Sequence, residues 1–431
     1  MATIAVLGTL DTKGQEHAFV AEQIRVRGHD ALLIDVGTGG PPQVAPHVTR
    51  DEVAAAGGIN LPELTARRDR GECVSAMAAA APKLLLALQQ AARISGVISL
   101  GGGGGTAIAT AAMRALPIGF PKLMVSTLAG GDVAPYVGTR DIVMMPAIVD
   151  VVGLNRISRT LLAQAAGAVC GMVETRVAVE ADRPLVVASM FGNTTECVGT
   201  AKQIIEAAGY EVLVFHAVGT GGRVMESLIE SGLVAGVLDV TTTEWADELI
   251  GGVLTAGPHR LEAAGRAGVP AVVAPGCLDM VNFGPLETVP PHFAGRKFYV
   301  HNPQVTLMRT SVDECRTLGG ILADKINAYS APTTVLIPQQ GVSIIGAPGG
   351  PFHDAAADEA LFDALASQLR EGIEVRTLDT AINNGSFAKA CAEALLANMR
   401  RHAAADSAPP AEIRPVFRLT ARPARVRRLV V

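Results

Sequence analysis

Aromatic residues make up only 4% of the 431-residue chain, which leaves few ring faces on which nucleobases stack. An excess of basic charge is also missing: 36 Lys and Arg stand against 41 Asp and Glu, a formal net charge of −5. Bulk nucleic-acid binding, which depends on a basic surface, is therefore not expected. No uninterrupted apolar run approaches the roughly 18 residues of a membrane span, and Met1-Ala2-Thr3-Ile4 runs straight into a strand pattern. The expectation is a cytoplasmic protein with no membrane contact. The six cysteines (Cys73, Cys170, Cys197, Cys277, Cys315 and Cys391) form no Cys-x-x-Cys pair and no Cys/His spacing suited to zinc. They are expected to be reduced and buried.

What is present is apolar substance cut up by glycine. Hydrophobic residues reach 49%, and the chain is too long for one ordinary core. Ile4-Ala5-Val6-Leu7 reads as a strand, Glu16 to Arg27 as a helix and Ala31 to Ile34 as a second strand, a βαβ opening. Strands also read at Gly96 to Ser99, Lys122 to Ser126 and Ile142 to Met145, with helices over Cys73 to Ile94 and Leu154 to Val173. Alternation of this kind predicts a doubly wound parallel sheet whose ligands bind beyond the carboxyl ends of the strands.

Four of those strand ends are loaded with small and polar residues: Gly8-Thr9-Leu10-Asp11-Thr12-Lys13, Asp35-Val36-Gly37-Thr38-Gly39-Gly40, Gly101-Gly102-Gly103-Gly104-Gly105-Thr106 and Thr127 to Gly130-Gly131-Asp132. The third is the strongest signal. A strand that stops on five glycines and turns into a helix leaves several backbone N–H groups pointing one way, at the positive end of the helix dipole. No Gly-Lys-Ser/Thr follows, and Thr106 stands where a dinucleotide fingerprint has its last spaced glycine. Phosphate binding is expected here, with all four exits converging on one crevice. Asp11 and Asp132 are the oxygen donors to consider for Mg²⁺, Lys13 a cation for phosphate oxygens, and Asp35 a partner for a ribose hydroxyl. Each carboxylate could equally cap a helix or turn.

After Glu180-Ala181-Asp182-Arg183-Pro184 the pattern begins again with Leu185 to Ala188, and Val218-Gly219-Thr220-Gly221-Gly222 repeats Val36-Gly37-Thr38-Gly39-Gly40. Pro146 and Pro303 are read as matching positions, each after a strand and before a helix. An internal duplication follows, with a boundary near residues 176–184. The expected organisation is a nucleotide-binding domain over 1–180, a second α/β domain over 184–400 and an arginine-rich tail over 401–431. The second copy has Asp239-Val240-Thr241-Thr242-Thr243-Glu244-Trp245-Ala246-Asp247 where the first has its glycines. Its crevice is expected to hold a small polar or anionic metabolite rather than phosphate, with Glu244, Asp247, Asp279, His301 and His353 as candidates for proton transfer or metal binding. Cys277 is read as an inert buried thiol.

Gly8 to Gly14, Gly101 to Thr106, Asp279-Met280-Val281-Asn282-Phe283 and His301-Asn302-Pro303-Gln304-Val305-Thr306-Leu307-Met308-Arg309 together resemble a known family. It comprises the N-terminal inhibitory region of the tomato mosaic virus resistance protein and its uncharacterised bacterial relatives with an ATP-binding domain. The resemblance runs from Ile4 to about Met399 and implies two Rossmann-like domains, binding of ATP with magnesium in the first, and a homodimer. Beside the residue reading, this gives an ATP-dependent phosphoryl-transfer or ligase-type enzyme as the first expectation. A non-catalytic nucleotide-sensing module is the second, and a nicotinamide-dependent oxidoreductase the third.

Overall fold

A computed structural model describes residues 1–176 and 183–406. Its first sheet comprises β1 (Thr3–Gly8), β2 (Asp30–Asp35), β3 (Gly96–Gly101), β4 (Lys122–Ser126) and β5 (Val143–Pro146), all parallel, in the order β2-β1-β3-β4-β5. The helices are α1 (Leu10–Val26), α2 (Arg50–Gly57), α3 (Leu61–Ala66), α4 (Arg70–Gln90), α5 (Gly103–Arg114), α6 (Ala134–Val137) and α7 (Arg156–Glu174).

The strands are apolar without alternation because both faces are covered. Ala5, Leu7, Val97 and Met124 pack with residues of α4 and α5 on one side, while Ile4, Val6, Ile98 and Leu123 pack with α1 and α7 on the other. Helix α4 passes a length and hydropathy test for a membrane span, but Cys73, Met77, Ala80, Ala81, Leu85 and Leu88 form its buried stripe. Strand order reverses between β1 and β3, so their carboxyl ends splay and leave a crevice.

The second sheet repeats this order and extends it. It contains β6 (Leu185–Met190), β7 (Glu211–His216), β8 (Val234–Thr241) and β9 (Ala271–Gly276). The chain then departs into a three-stranded antiparallel sheet of β10 (Met280–Phe283), β11 (Phe298–Asn302) and β12 (Val305–Arg309). It returns with β13 (Thr333–Pro338) and β14 (Glu374–Leu378), giving the parallel order β14-β13-β9-β8-β6-β7. The helices are α8 (Thr195–Ala207), α9 (Thr220–Glu230), α10 (Glu244–Ile250), α11 (Ala263–Ala267), α12 (Val312–Asn327), α13 (Ala355–Gln368) and α14 (Gly385–Asp406). Strands β6, β7 and β8 thus occupy the positions of β1, β2 and β3.

The architecture is α/β with two doubly wound parallel sheets, and it corrects two expectations. Pro303 lies in the hairpin between β11 and β12, with no helix after it, so it does not match Pro146. Helix α1 begins with an extra turn from Leu10, whose N–H donates to the Asp35 carboxylate at 3.0 Å; a kink at Lys13 (φ −132°, ψ 26°) separates this turn from the regular helix expected from Glu16. All six cysteines are free and buried. Most of the expected boundary and nearly all of the arginine-rich tail lie outside the described residues; residues 401–406 close α14.

Candidate functional site

A cleft of about 740 Å³ opens at the carboxyl ends of β1, β2 and β3. Its floor is the start of α5. Gly102 is the N-cap and Gly103, Gly104 and Gly105 form the first turn; Thr106 N–H is the first to return to the helix, donating to Gly102 O at 2.8 Å. No side chain caps this end. The amides of Gly103 to Gly105 therefore face the cleft as orphan donors, and with no Cβ the backbone is open to close approach.

The start of α1 is satisfied from within. Leu10 N–H goes to Asp35, Thr12 and Lys13 N–H go to Thr9 O, and Gly14 N–H donates to Gln43 Oε1 at 3.1 Å. The second exit is committed too: Gly37 N–H donates to Asp35 Oδ1 (2.8 Å) and Gly39 N–H to Asp11 Oδ2 (2.7 Å). Among the three exits on this cleft, the glycine helix alone presents a run of spare donors.

Of the predicted residues, Thr9, Asp11, Thr12, Lys13, Thr38, Gly39 and Gly102 to Gly105 line the cleft. Gly8 and Gly101 are buried strand ends; a Cβ on Gly8 would sit 1.9 Å from His17 Nε2. Burial pushes the pKa of that histidine down, leaving it neutral. Thr106 is fully buried and bonds Ser126 Oγ at 2.7 Å, so it braces the turn from beneath instead of meeting a ligand. Asp35, 1% exposed and pushed up by burial, has no access to a ribose. Lys13 reaches the cleft, but its Nζ donates to Val151 O. The fourth exit does not join: Gly130 lines a neighbouring cleft. Asp132 accepts from Ala134 N–H at 3.0 Å and fixes the turn into α6.

Four charged contributors escaped the sequence reading; one is Asp69, which lines the cleft and caps α4 by accepting from Glu72 N–H at 2.9 Å. Arg68 and Arg70, at the entrance to α4, and Asp150, after β5, line the cleft. The charged string Arg67-Arg68-Asp69-Arg70 ahead of a long helix was the available signal, as was the general expectation that every strand end contributes. No cluster of three or more His, Cys, Asp or Glu able to hold a metal occurs among the described residues.

The second sheet is different in kind. Where α5 presents bare amides, the Glu244 carboxylate accepts from Gly219 N–H (2.7 Å) and Gly222 N–H (3.1 Å) at the start of α9. Arg260, 1% exposed, holds Glu244 through Nε (2.6 Å), Asp239 through two parallel bonds (2.5 and 2.6 Å) and Glu226 at 3.1 Å. Burial would lower the Arg260 pKa, but Asp239, Glu244 and Glu226 raise it well above its usual value. The Val-Gly-Thr-Gly-Gly repeat therefore receives the protein's own carboxylates in each copy: Asp35 and Asp11 in the first, Glu244 in the second.

The five expected proton carriers do not converge. Glu244 and Asp247 are each 1% exposed; Asp247 accepts from Asn282 N–H (3.0 Å) and Asn282 Nδ2 (2.8 Å), and burial pushes its pKa up to about 7. Asp279, fully buried, accepts from Ser343 Oγ at 2.6 Å, and Arg309 bonds Asp358 alongside it. His301 and His353 are exposed on a hairpin and a loop. None of the five lines a described cleft. Glu244, Asp247 and Asp279 are buried in hydrogen-bonded networks, and the two histidines sit at the surface.

Burial pushes the Asp279 carboxyl up to about 6, against the opposing charge of Arg309. A folded-state pKa above the unfolded one stabilises at low pH and is lost as pH rises through the folded value. Relative to Asp279→Asn, the natural protein should lose of the order of 2 kcal/mol between pH 4 and 6.5. Urea titrations of both proteins at the two pH values check this.

Fold and site define a tandem doubly wound α/β protein with an uncapped glycine helix at the switch point of its first sheet. The chain belongs to the uncharacterised protein family UPF0261, whose N-terminal domain matches residues 2–178 and whose C-terminal domain matches residues 183–399. A UPF0261 protein of Clostridium tetani is 47% identical over 92% of this chain and 99% of its own length. The tomato resistance protein Tm-1(GCR237) is 37% identical over 90% of this chain, which spans 55% of that protein. Among solved structures, a spinosyn rhamnosyltransferase covers 93% of the chain at 12% identity and a TM-score of 0.20, too remote to bear on function.

Proposed function

We propose that the cleft at the ends of β1, β2 and β3 binds a nucleoside triphosphate, ATP, with magnesium. The observation that carries this reading is the run of three consecutive glycine amides, uncapped, at the positive end of α5. Lys13, Arg68 and Arg70 supply cationic charge around it, and neither Arg68 nor Arg70 has an ion-pair partner among the described residues. Arg70 sits in the first turn of α4, where a cation opposes the helix dipole and an anion in the cleft would relieve it. The volume lies within the range of small-molecule sites, roughly 300–1,000 Å³. Asp11 keeps one buried carboxylate oxygen without a hydrogen-bond partner. Magnesium commonly uses one or two carboxylates together with phosphate oxygens, which suits this lining.

A Cβ added at Gly103 meets nothing within 4 Å. Gly103→Val should therefore keep the fold, with a melting temperature within about 2 °C of the natural protein. Its side chain would stand over the amides, and the dissociation constant for ATP with Mg²⁺ should rise at least tenfold by calorimetry. Unchanged affinity would refute the placement.

A further inference from the structure

A second cleft, of about 490 Å³, opens beyond β4 and β5, lined by Ser126, Thr127, Gly130, Pro146, Ile148 and Asp150 with their neighbours. It adjoins the first at two points. Asp150 lines both clefts. Gly102, the cap of α5, stands where a Cβ would lie 3.6 Å from Thr127 Oγ1. The end of a ligand held by the α5 amides is thus the end nearest the second cleft.

The lining has a definite chemistry. It contains no Lys or Arg, so an anionic occupant would meet the Asp150 carboxylate with nothing to offset it. Ser126 Oγ is already used by Thr106 and by Leu128 N–H. The Thr127 hydroxyl and the Asp150 carboxylate are exposed polar groups, set against an apolar wall of Pro146, Ala147 and Ile148. Ile148 is held at φ +62° while 74% exposed. A β-branched residue pays of the order of 1–2 kcal/mol for that conformation, and such strain clusters at working sites.

We propose that this second cleft seats the acceptor of a phosphoryl transfer, a neutral hydroxyl-bearing small molecule, with Asp150 as general base. The proposal rests on the nucleotide reading of the first cleft. The acceptor oxygen bonds to the terminal phosphorus of ATP while its proton passes to an Asp150 carboxylate oxygen. The bond from that phosphorus to the bridging oxygen breaks, and ADP leaves with the electron pair. Such chemistry needs positioning and charge neutralisation rather than a covalent nucleophile.

The test is phosphorus NMR on the full chain with MgATP and a panel of glycerol, erythritol, xylitol, glucose and myo-inositol, beside glycerate and gluconate. At least one neutral compound should yield a phosphate ester with matching ADP, and the acids none. Asp150→Asn should lower that rate about 100-fold or more. Gly130→Leu, whose new side chain meets no protein atom within 4 Å of its Cβ, should block the acceptor while ATP affinity stays within twofold. If ATP does not bind, the nucleotide reading itself fails. If ATP binds but no neutral compound is phosphorylated, or Gly130→Leu leaves the rate unchanged while melting normally, the acceptor site alone is overturned.

Discussion

Arg260→Met should destabilise the protein by about 3–5 kcal/mol at pH 7. The guanidinium is 1% exposed and is the shared counter-ion of Asp239, Glu244 and Glu226. Removing it leaves Asp239 and Glu244, fully buried, and Glu226, at the wall of a cleft of about 290 Å³, without their counter-ion, and uncompensated buried charge is among the costliest single changes. Burial already pushes the Glu226 carboxyl up and Arg260 holds it down, so without Arg260 it rises further and the deficit should shrink as pH falls. Adding Asp239→Asn and Glu244→Gln to the variant should recover much of the loss at pH 7, because the charges that needed Arg260 are gone. The chain supplies its own probe: Trp245, the sole tryptophan, lies 6% exposed on α10 beside Glu244. Urea unfolding followed by its fluorescence reads the second sheet directly. A deficit below about 1 kcal/mol, or one independent of pH, would mean that water reaches the cluster.

The parallel sheets were legible because their strands are short apolar runs closed by glycine, a signal that survives burial on both faces. Lys122 to Ser126 is a strand from first to last residue as read. The antiparallel insert was not legible: β11 is five residues and largely exposed, and it ends in a hairpin turn at Pro303-Gln304, a proline turn of the kind that also precedes helices. The uncapped helix α5 could be read from its glycines because what matters there is missing side chains. The chemistry assigned to Glu244, Asp247 and Asp279 failed for the opposite reason. A carboxylate's role depends on what accepts or opposes its charge, and Glu244 is answered by Arg260, sixteen residues away in a loop with no periodic pattern. Asp11 and Glu244 look alike as acidic residues near glycines, and both do hold glycine amides. The first stands at the edge of an open cleft, the second is buried against Arg260.

That contrast yields the other large effect. Gly102→Asp should make the first sheet more stable and abolish its ligand binding. Gly102 is an N-cap with φ −93° and ψ −157°, extended backbone that Asp adopts without strain, and a Cβ there has ordinary contact at 3.6 Å. An aspartate at this position would turn its carboxylate onto the first-turn amides, as Glu244 does for α9. The gain should be about 0.5–1 kcal/mol, from cap, dipole and reduced freedom of the unfolded chain. The same carboxylate would occupy the donors that a phosphate needs and repel it, so affinity for ATP with Mg²⁺ should fall about 100-fold, or roughly 2.7 kcal/mol. A melting temperature that rises while calorimetric affinity disappears separates loss of the site from loss of the fold. Should the variant bind ATP as tightly as the natural protein, the α5 amides are not where the phosphates sit, whatever its stability.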